Sequence, residues 1–346
     1  MGSIHTAYFV LVEIRAIFKN SRSGPDFDEK MRLRPFNPAI LSGATDVIAV
    51  RHADGSLRHS AFHVRFGWFS GVFRGGDFVT VFVDGVKKQR MIIGSNGTAY
   101  FASESDESEI FQDLDPEKNV FNVRFVPVVT LCGKNITKFM SLFVTLEVQT
   151  QVHVWQHSDR VVISDIDGTI TSSDAAGHIL YWAQKWKLPI LSAKDFTHPN
   201  VVDLLAAVSK RKYKIMYLTA RNIGYAQQVT IPVRVLPSTP SNFFLFLQTK
   251  AYIHGLKLPG PVVTSHSGLV AALWLEILLK RPDEFKIEEL SSIRNLFRLQ
   301  GHVAGFDHEP FFAGLGNRDT DTKSYQKVGE GRMLAMAVVL QFTMAR

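Results

Sequence analysis

Asp165 and Asp167 stand two residues apart directly after the apolar run 161–163, and Gly168 and Thr169 follow them. Two carboxylates that close repel each other, and neither gains from leaving water unless a cation or a shared proton compensates. The spacing therefore asks for a ligand. A strand ending just before Asp165 sets the first carboxylate at a pocket mouth, placed to attack phosphorus and form an aspartyl phosphate. Asp167, in the loop beyond, is placed to protonate a departing alkoxide and then to deprotonate the water that releases phosphate. Gly168 lets the backbone turn close to a ligand, and the Thr169 hydroxyl can bond within that loop.

Phosphoryl transfer spreads negative charge over equatorial oxygens, so positioned cations and donors carry most of the catalysis. Three further clusters offer them. Thr219 follows the apolar run "KIMYL" (214–218), Lys286 lies in "RPDEFK", and Asn317 and Asp321 follow "FFAGLG" (311–316). Thr219 can donate to phosphate, and Lys286 can place an ammonium on the phosphate and the nucleophile. Asn317 and Asp321, with Asp165 and the main-chain carbonyl of Asp167, make a hard-oxygen set suited to Mg2+. That cation would relieve the repulsion of the opening pair. Taken singly, each piece has an ordinary explanation as a turn, a helix cap or a surface charge. Their order and their common placement after apolar runs join them into one phosphoryl site.

The elements that must hold these residues follow from periodicity. From about residue 160, apolar strands alternate with helical periods near 199–210, 268–280 and 285–297, which predicts a parallel sheet with ligands at its carboxyl ends. Upstream, residues 37–156 alternate in short runs punctuated by Asp54-Gly55, Asp84-Gly85 and Asn96-Gly97. Strands are expected at 46–51, 61–66, 78–84, 98–102, 120–126 and 142–148, forming an antiparallel sandwich. The acidic stretch 103–117 is expected to be a solvated loop.

With 346 residues, 46% of them apolar and 21% charged, the chain can build two cores. Its longest apolar runs, such as 334–340, fall well short of the roughly 18 residues a spanning helix needs. No secretory leader is expected from the first twenty residues, and the lone Cys132 favours a reducing compartment. The net charge of +7 suits either a solvated surface or an anionic partner such as a phospholipid surface. Its basic clusters lack aromatic interleaving, so nucleic acid is not expected as a direct partner. Residues 8–18, "YFVLVEIRAIF", read as a membrane-contacting helix or an extra strand.

The order D-x-D-G-T, then T, then K, then G-N-x-x-x-D resembles the haloacid dehalogenase superfamily. "VVISDIDGTITSSDAAGHIL", "DFTHPNVVDLL", "YKIMYLTARNIGYA", "LPGPVV", "KRPDEFKIEELSSIRNLF" and "FFAGLGNRDTDTKSYQKVG" resemble the catalytic region of lipins, the magnesium-dependent phosphatidate phosphatases, and residues 37–67 resemble their amino-terminal conserved region. The resemblance implies hydrolysis of phosphatidate to diacylglycerol and phosphate at a membrane surface, in glycerolipid synthesis. It carries the nucleophile to Asp165, the acid/base to Asp167, phosphate contact to Thr219 and Lys286, and metal ligation to Asp165, Asp167, Asn317 and Asp321. Gly168 and Thr169 fall on the substrate side of the motif. Arg221, in the T-A-R segment, is either a phosphate contact or a structural ion pair.

The implied architecture is multidomain: an immunoglobulin-like β-sandwich over 37–157, then a Rossmann-like haloacid dehalogenase domain over 158–330. A segment 1–36 precedes them, interruptions fall near 181–193 and 229–248, and 331–346 is an atypical tail. The implied location is cytoplasmic, with reversible association to endoplasmic reticulum or nuclear membrane, the nucleus being the alternative. A phosphatase of soluble esters or phosphoproteins, and a noncatalytic lipin-like adaptor, are the alternative readings.

Overall fold

The computed structural model describes residues 42–66, 78–94, 97–128, 130–131, 134–135, 147–171, 197–198, 200–223, 249–265, 282–298, 309–329 and 333–337. The expected segments 1–36, 181–193, 229–248 and 268–280 lie outside them.

Alternation builds the first region. In β8 (Val120–Val128) the side chains Phe121, Val123 and Phe125 are buried while Asn122 is exposed, as one-sided burial of a strand requires. The same logic gives β1 (Gly43–Ala44), β2 (Val47–Arg51), β3 (Leu57–His59), β4 (Val64–Arg65), β5 (Phe78–Val83), β6 (Val86–Ile93) and β7 (Thr98–Tyr100). After β8 come a two-strand ladder, β9 (Thr130–Leu131) and β10 (Lys134–Asn135), and then β11 (Val148–Gln156). The turn joining β5 to β6 has positive φ at both Asp84 (47°) and Gly85 (86°), the backbone of a two-residue hairpin.

Nine of these strands form one sheet in the order β1-β4-β7-β6-β5-β8-β11-β2-β3. Every neighbouring pair is antiparallel except β11 with β2. Ala44 and Val64 near one edge share a core with Val47 and Ala49 near the other, so the sheet curls around that core. The expected two-layer antiparallel sandwich is thus found as a single curled, mixed sheet. The acidic stretch 103–117, expected as a loop, contains the exposed helix α1 (Glu104–Glu109), whose first turn is capped by the Ser103 hydroxyl and carries Glu104, Asp106 and Glu107. The strand expected over 142–148 instead starts at Val148, the residues before Glu147 lying outside the described set.

The second region is a parallel sheet. Its elements are β12 (Val161–Asp165), α2 (Val201–Lys210), β13 (Lys214–Asn222), α3 (Thr249–Gly255), β14 (Val262–Ser265), α4 (Pro282–Leu296), β15 (Phe311–Gly316), α5 (Asp319–Val328) and β16 (Leu334–Ala337). The order β14-β13-β12-β15-β16, parallel throughout, puts β12 at the centre. Part of the expected atypical tail, 334–337, therefore extends the sheet as an edge strand.

Both faces of this sheet are covered, which is why its strands read as unbroken apolar runs. Val162, Ile215 and Tyr217 pack on one side with Leu205 of α2 and Ile253 of α3. Ile163, Met216 and Leu218 pack on the other with Leu290 and Ile293 of α4 and Tyr325 of α5. Ile48 and Val50 of β2 and Trp155 of β11 join that second cluster. Strand β2 is consequently buried on both faces, Val47 and Ala49 toward the curled sheet, Ile48 and Val50 toward α4.

A buried polar staple locks the two sheets together. Asp46 Oδ1 accepts from Lys250 Nζ at 2.6 Å, Thr150 Oγ1 at 2.9 Å and the Gln151 amide at 2.9 Å, and its Oδ2 accepts from the Val262 amide at 2.9 Å.

Candidate active site

Strand β12 is buried along its whole length and delivers Asp165 at its carboxyl end. The next turn is shaped around the Ile166 carbonyl, which accepts from the amides of Ile170 and Thr171 at 3.0 Å each and from Thr171 Oγ1 at 3.1 Å. Ile166 and Ile170, fully buried, pin the turn to the core below. Gly168 sits at φ +81°, the left-handed backbone a tight turn demands and a side chain resists. Its amide donates to Thr171 Oγ1 at 2.9 Å, and His198 Nε2 lies 3.3 Å from its carbonyl. The bond within the loop expected of Thr169 is therefore supplied by Thr171. Thr169 reaches across instead, its hydroxyl donating to Asn317 Oδ1 at 3.4 Å. Thr171 and His198 escaped the sequence reading, although both lie in the quoted stretches "DGTIT" and "DFTHPN".

Asp167 points to the neighbouring strand. Its Oδ2 accepts from Thr219 Oγ1 at 2.9 Å, and its Oδ1 is ion-paired with Arg221, both on β13. The Arg221 amide donates to Thr219 Oγ1 at 3.2 Å, tying the pair together. Of the two roles open for Arg221, the ion pair is the one present here.

Lys286, on the first turns of α4, is buried and places Nζ 2.6 Å from Asp165 Oδ1 and 2.6 Å from Asp321 Oδ1. Burial alone would favour the neutral amine, but the two carboxylates outweigh it and hold the ammonium pKa above its usual value. Burial pushes the Asp165 carboxyl up to about 7, with Asp321 and Asp167 adding to the rise and Lys286 opposing it. Asp321, in the first turn of α5, also accepts from the Arg318 amide at 3.1 Å. Gly316 leaves room for it: a Cβ there would lie 2.4 Å from the Asp321 Cβ. All the sequence-predicted residues thus stand at the carboxyl ends of β12, β13 and β15 or on the helix turns facing them.

The donors are of the chemical class a hard divalent cation takes, although among the described residues no three acidic or histidine side chains are gathered as a metal-holding group. Three carboxylates, Asp165, Asp167 and Asp321, face two fixed cations, Lys286 and Arg221, and the charges of Asp321 and Asp167 add to the upward push that burial gives Asp165. Oxygens from Asp165, Asn317 and Asp321 and the Asp167 carbonyl are the ligand chemistry Mg2+ takes. A separate cavity of about 660 Å³, lined by His153, Lys214 and Gly260 among others, opens at the amino ends of β13 and β14 and shares none of these residues.

Comparison with known proteins places the chain in a family. Residues 130–336 match the family described as LNS2 (Lipin/Ned1/Smp2), well over half of the chain, and residues 28–117 match the lipin amino-terminal conserved region. The chain belongs to the lipin family. Among the relatives of this lipin-family chain, phosphatidic acid phosphohydrolase 1 of Saccharomyces cerevisiae is 39% identical over 202 residues, 57% of this chain and 20% of that protein. Human phosphatidate phosphatase LPIN1 is 38% identical over 192 residues, 54% of this chain and 17% of the relative. Phosphatidate phosphatase PAH1 of Arabidopsis thaliana is 37% identical over 186 residues, 54% and 17% respectively. The matched stretch spans a fifth or less of these lipin-family relatives.

Proposed function

We propose that the chain is a magnesium-dependent phosphatidate phosphatase that forms an aspartyl phosphate on Asp165 and releases diacylglycerol and phosphate. The observation that carries this reading is the Lys286 ammonium held 2.6 Å from both Asp165 and Asp321 at the carboxyl end of the central strand. The relatives, a phosphatidic acid phosphohydrolase and two phosphatidate phosphatases, support the lipid substrate. Among the described residues no helix is long and apolar enough to cross a membrane.

In this reading a carboxylate oxygen of Asp165 attacks phosphorus while the ester P–O bond breaks, and Asp167 gives its proton to the departing alkoxide. Water then attacks phosphorus, Asp167 takes the water's proton, and the bond to Asp165 breaks to release phosphate. Asp167 as found accepts on both oxygens, the form required for the second step. To carry a proton in the first step it must release one donor, and in this reading Arg221 turns from it to the incoming phosphate. Lys286 and Thr219 stabilise the equatorial oxygens, Gly168 keeps the loop backbone close to them, and Thr169 acts through Asn317. Asp165, Asn317, Asp321 and the Asp167 carbonyl are the residues that would hold Mg2+, which would supply further positive charge at the transferring group.

The reading extends to the architecture and setting. The curled sheet is an immunoglobulin-like domain over about 37–157, and the parallel sheet over 158–330 is haloacid dehalogenase-like. The protein meets phosphatidate at the cytoplasmic face of endoplasmic reticulum or nuclear membrane as a peripheral enzyme. A single assay tests the core of it: phosphate release from phosphatidate in mixed detergent micelles, with Mg2+ and with chelator, beside Asp165→Asn. Activity that needs Mg2+ and vanishes in the variant is expected. Hydrolysis of soluble phosphate esters with none of phosphatidate would move the substrate to that class, and activity surviving Asp165→Asn would overturn the nucleophile.

A further inference from the structure

Lys286 is carried by a helix whose far end is held by the other region of the molecule. The last carbonyls of α4 have no partner within the helix, as at every helix carboxyl terminus. Here Arg58 Nη1, from β3, donates to the Asn295 carbonyl and to the Arg298 carbonyl, each at 2.9 Å. His52, just after β2, approaches the Leu296 carbonyl with Nε2 at 2.9 Å. A carbonyl only accepts, so Nε2 is the donor in this contact, and Nδ1 has no hydrogen-bond partner among the described residues. A guanidinium at this end also meets the negative pole of the helix dipole. Beneath these bonds Ile48, Val50 and Trp155 pack on Leu290, Ile293, Leu296 and Phe297, with the Trp155 and Phe297 rings 6.4 Å apart.

We infer that Arg58 and His52 are positioning residues for Lys286: they clamp the carboxyl end of α4, fixing the helix lengthwise so that its opposite end presents the ammonium between Asp165 and Asp321. The helix is a stiff rod, and nine residues from Lys286 to Asn295 span about 14 Å, so sliding at one end appears at the other. Lys286 has little tolerance for it, because two contacts of 2.6 Å pull from different elements. A displacement of about 1 Å is enough to cost as much as a hundredfold in rate. The nine-stranded sheet thereby takes part in tuning the site without touching it. This inference rests on the phosphatase reading for its kinetic consequence and on geometry alone for the clamp.

The test joins kinetics to amide exchange. In the full chain, Arg58→Ala is expected to lower kcat on phosphatidate micelles roughly five- to twentyfold with KM within about twofold, and Arg58→Lys to recover most of the loss. Hydrogen exchange of the described amides of α4 should quicken in Arg58→Ala while α2 stays as in the parent. His52→Gln, which keeps a donor near the Nε2 position, should stay within about threefold of the parent in kcat, whereas His52→Ala should resemble Arg58→Ala. Unchanged exchange in α4, faster exchange in α4 and α2 alike, or faster α4 exchange with kcat intact would each overturn the inference. A parent protein without phosphatase activity would sink the functional reading instead, and the exchange of α4 would still decide whether the clamp exists.

Discussion

Among the described residues two buried lysines each hold a carboxylate at the same distance, Lys250 on Asp46 and Lys286 on Asp165, and those two acids behave oppositely. At the staple, Asp46 has Lys250 Nζ at 2.6 Å; at the site, Asp165 has Lys286 Nζ at 2.6 Å. Burial pushes the Asp46 carboxyl up, but the charges of Lys250 and His153 and the bonds from Lys250 and Val262 bring it below its ordinary value. Burial pushes Asp165 up as well, and there the rise prevails, to about 7. The difference is in the company each keeps. Asp46 takes two side-chain donors and two main-chain amides. Asp165 shares its one ammonium with Asp321 and feels Asp167 besides. One carboxylate is solvated by protein and holds two sheets together. The other is left short of compensation, as a group kept for chemistry is.

Substituting each acid by its amide should separate the two most widely. Asp165→Asn is expected to reduce phosphatidate turnover by at least ~10³-fold while leaving the melting temperature unchanged or higher, because it removes one of three crowded carboxylates. Asp46→Asn is expected to do the reverse. It leaves Lys250 charged and buried without its partner, which costs about 3–5 kcal/mol of folding stability, and turnover per folded molecule stays near the parent's. Denaturant melts and initial rates on both variants check the crossing, and parallel losses in the two would erase the distinction drawn here.

Acid sharpens the same contrast. Because the folded-state value of Asp46 lies below the 3.8 of the free group, its ionisation adds stability that is fully present above that value and is lost as pH falls through the lower folded one. Unfolding free energy followed from pH 6 to pH 2 should therefore drop less steeply at its acid end in Asp46→Asn than in the parent. An identical slope in both proteins would show that the staple is not held as an ion pair.

Next in size is Gly316→Ala. The new methyl would lie 2.4 Å from the Asp321 Cβ and 2.7 Å from its Oδ2, so the acid or the strand end must move. Overpacking of this kind costs about 1–3 kcal/mol. The shift falls on one of the two acceptors of Lys286, so turnover should fall about a hundredfold, more than the stability loss alone accounts for. A variant of parental activity would show that Asp321 need not stay where it is found.

The two regions were not equally legible in the sequence. The site-bearing sheet is covered on both faces, so its strands stand out as short apolar runs ending in polar clusters, and β12 and β15 begin and end almost where expected. In the curled sheet only one face of most strands is buried. Strand β6, "VKKQRMII", has its first five residues exposed or half-buried, and its three cations hide it among loops. Strand β11 alternates Val148, Thr150 and Val152 with Gln149 and Gln151, a pattern that polar residues on both faces blur until Trp155 turns toward α4. Strand β16 was masked by an unfamiliar ending, although a parallel sheet needs only main-chain groups to add an edge. Which residues would meet Asp165 followed from strand order; that Arg221 would pair with Asp167, and Thr169 with Asn317, depends on side-chain reach that no spacing reveals.

The smallest effect is expected farthest from the site. Helix α1 buries none of its residues, and its amino end is satisfied by Ser103 Oγ accepting from the Asp106 amide at 3.2 Å. Ser103→Ala removes that bond, which at a helix start is worth about 0.5–2 kcal/mol. Six residues, none of them buried, can fray without opening the core, so the global loss should sit at the low end of that range. Two contacts leave some coupling to the sheet: Glu107 Oε1 accepts from the Phe62 amide at 3.1 Å, and Glu109 Oε2 accepts from Gln89 at 2.6 Å. Circular dichroism melts of Ser103→Ala should therefore show a small downward shift with unchanged turnover, and amide exchange should quicken within 104–111 alone. A loss comparable to that of Asp46→Asn would mean that the acidic helix is a structural part of the curled sheet, and the division between a stapled scaffold and a charged site would have to be drawn to include it.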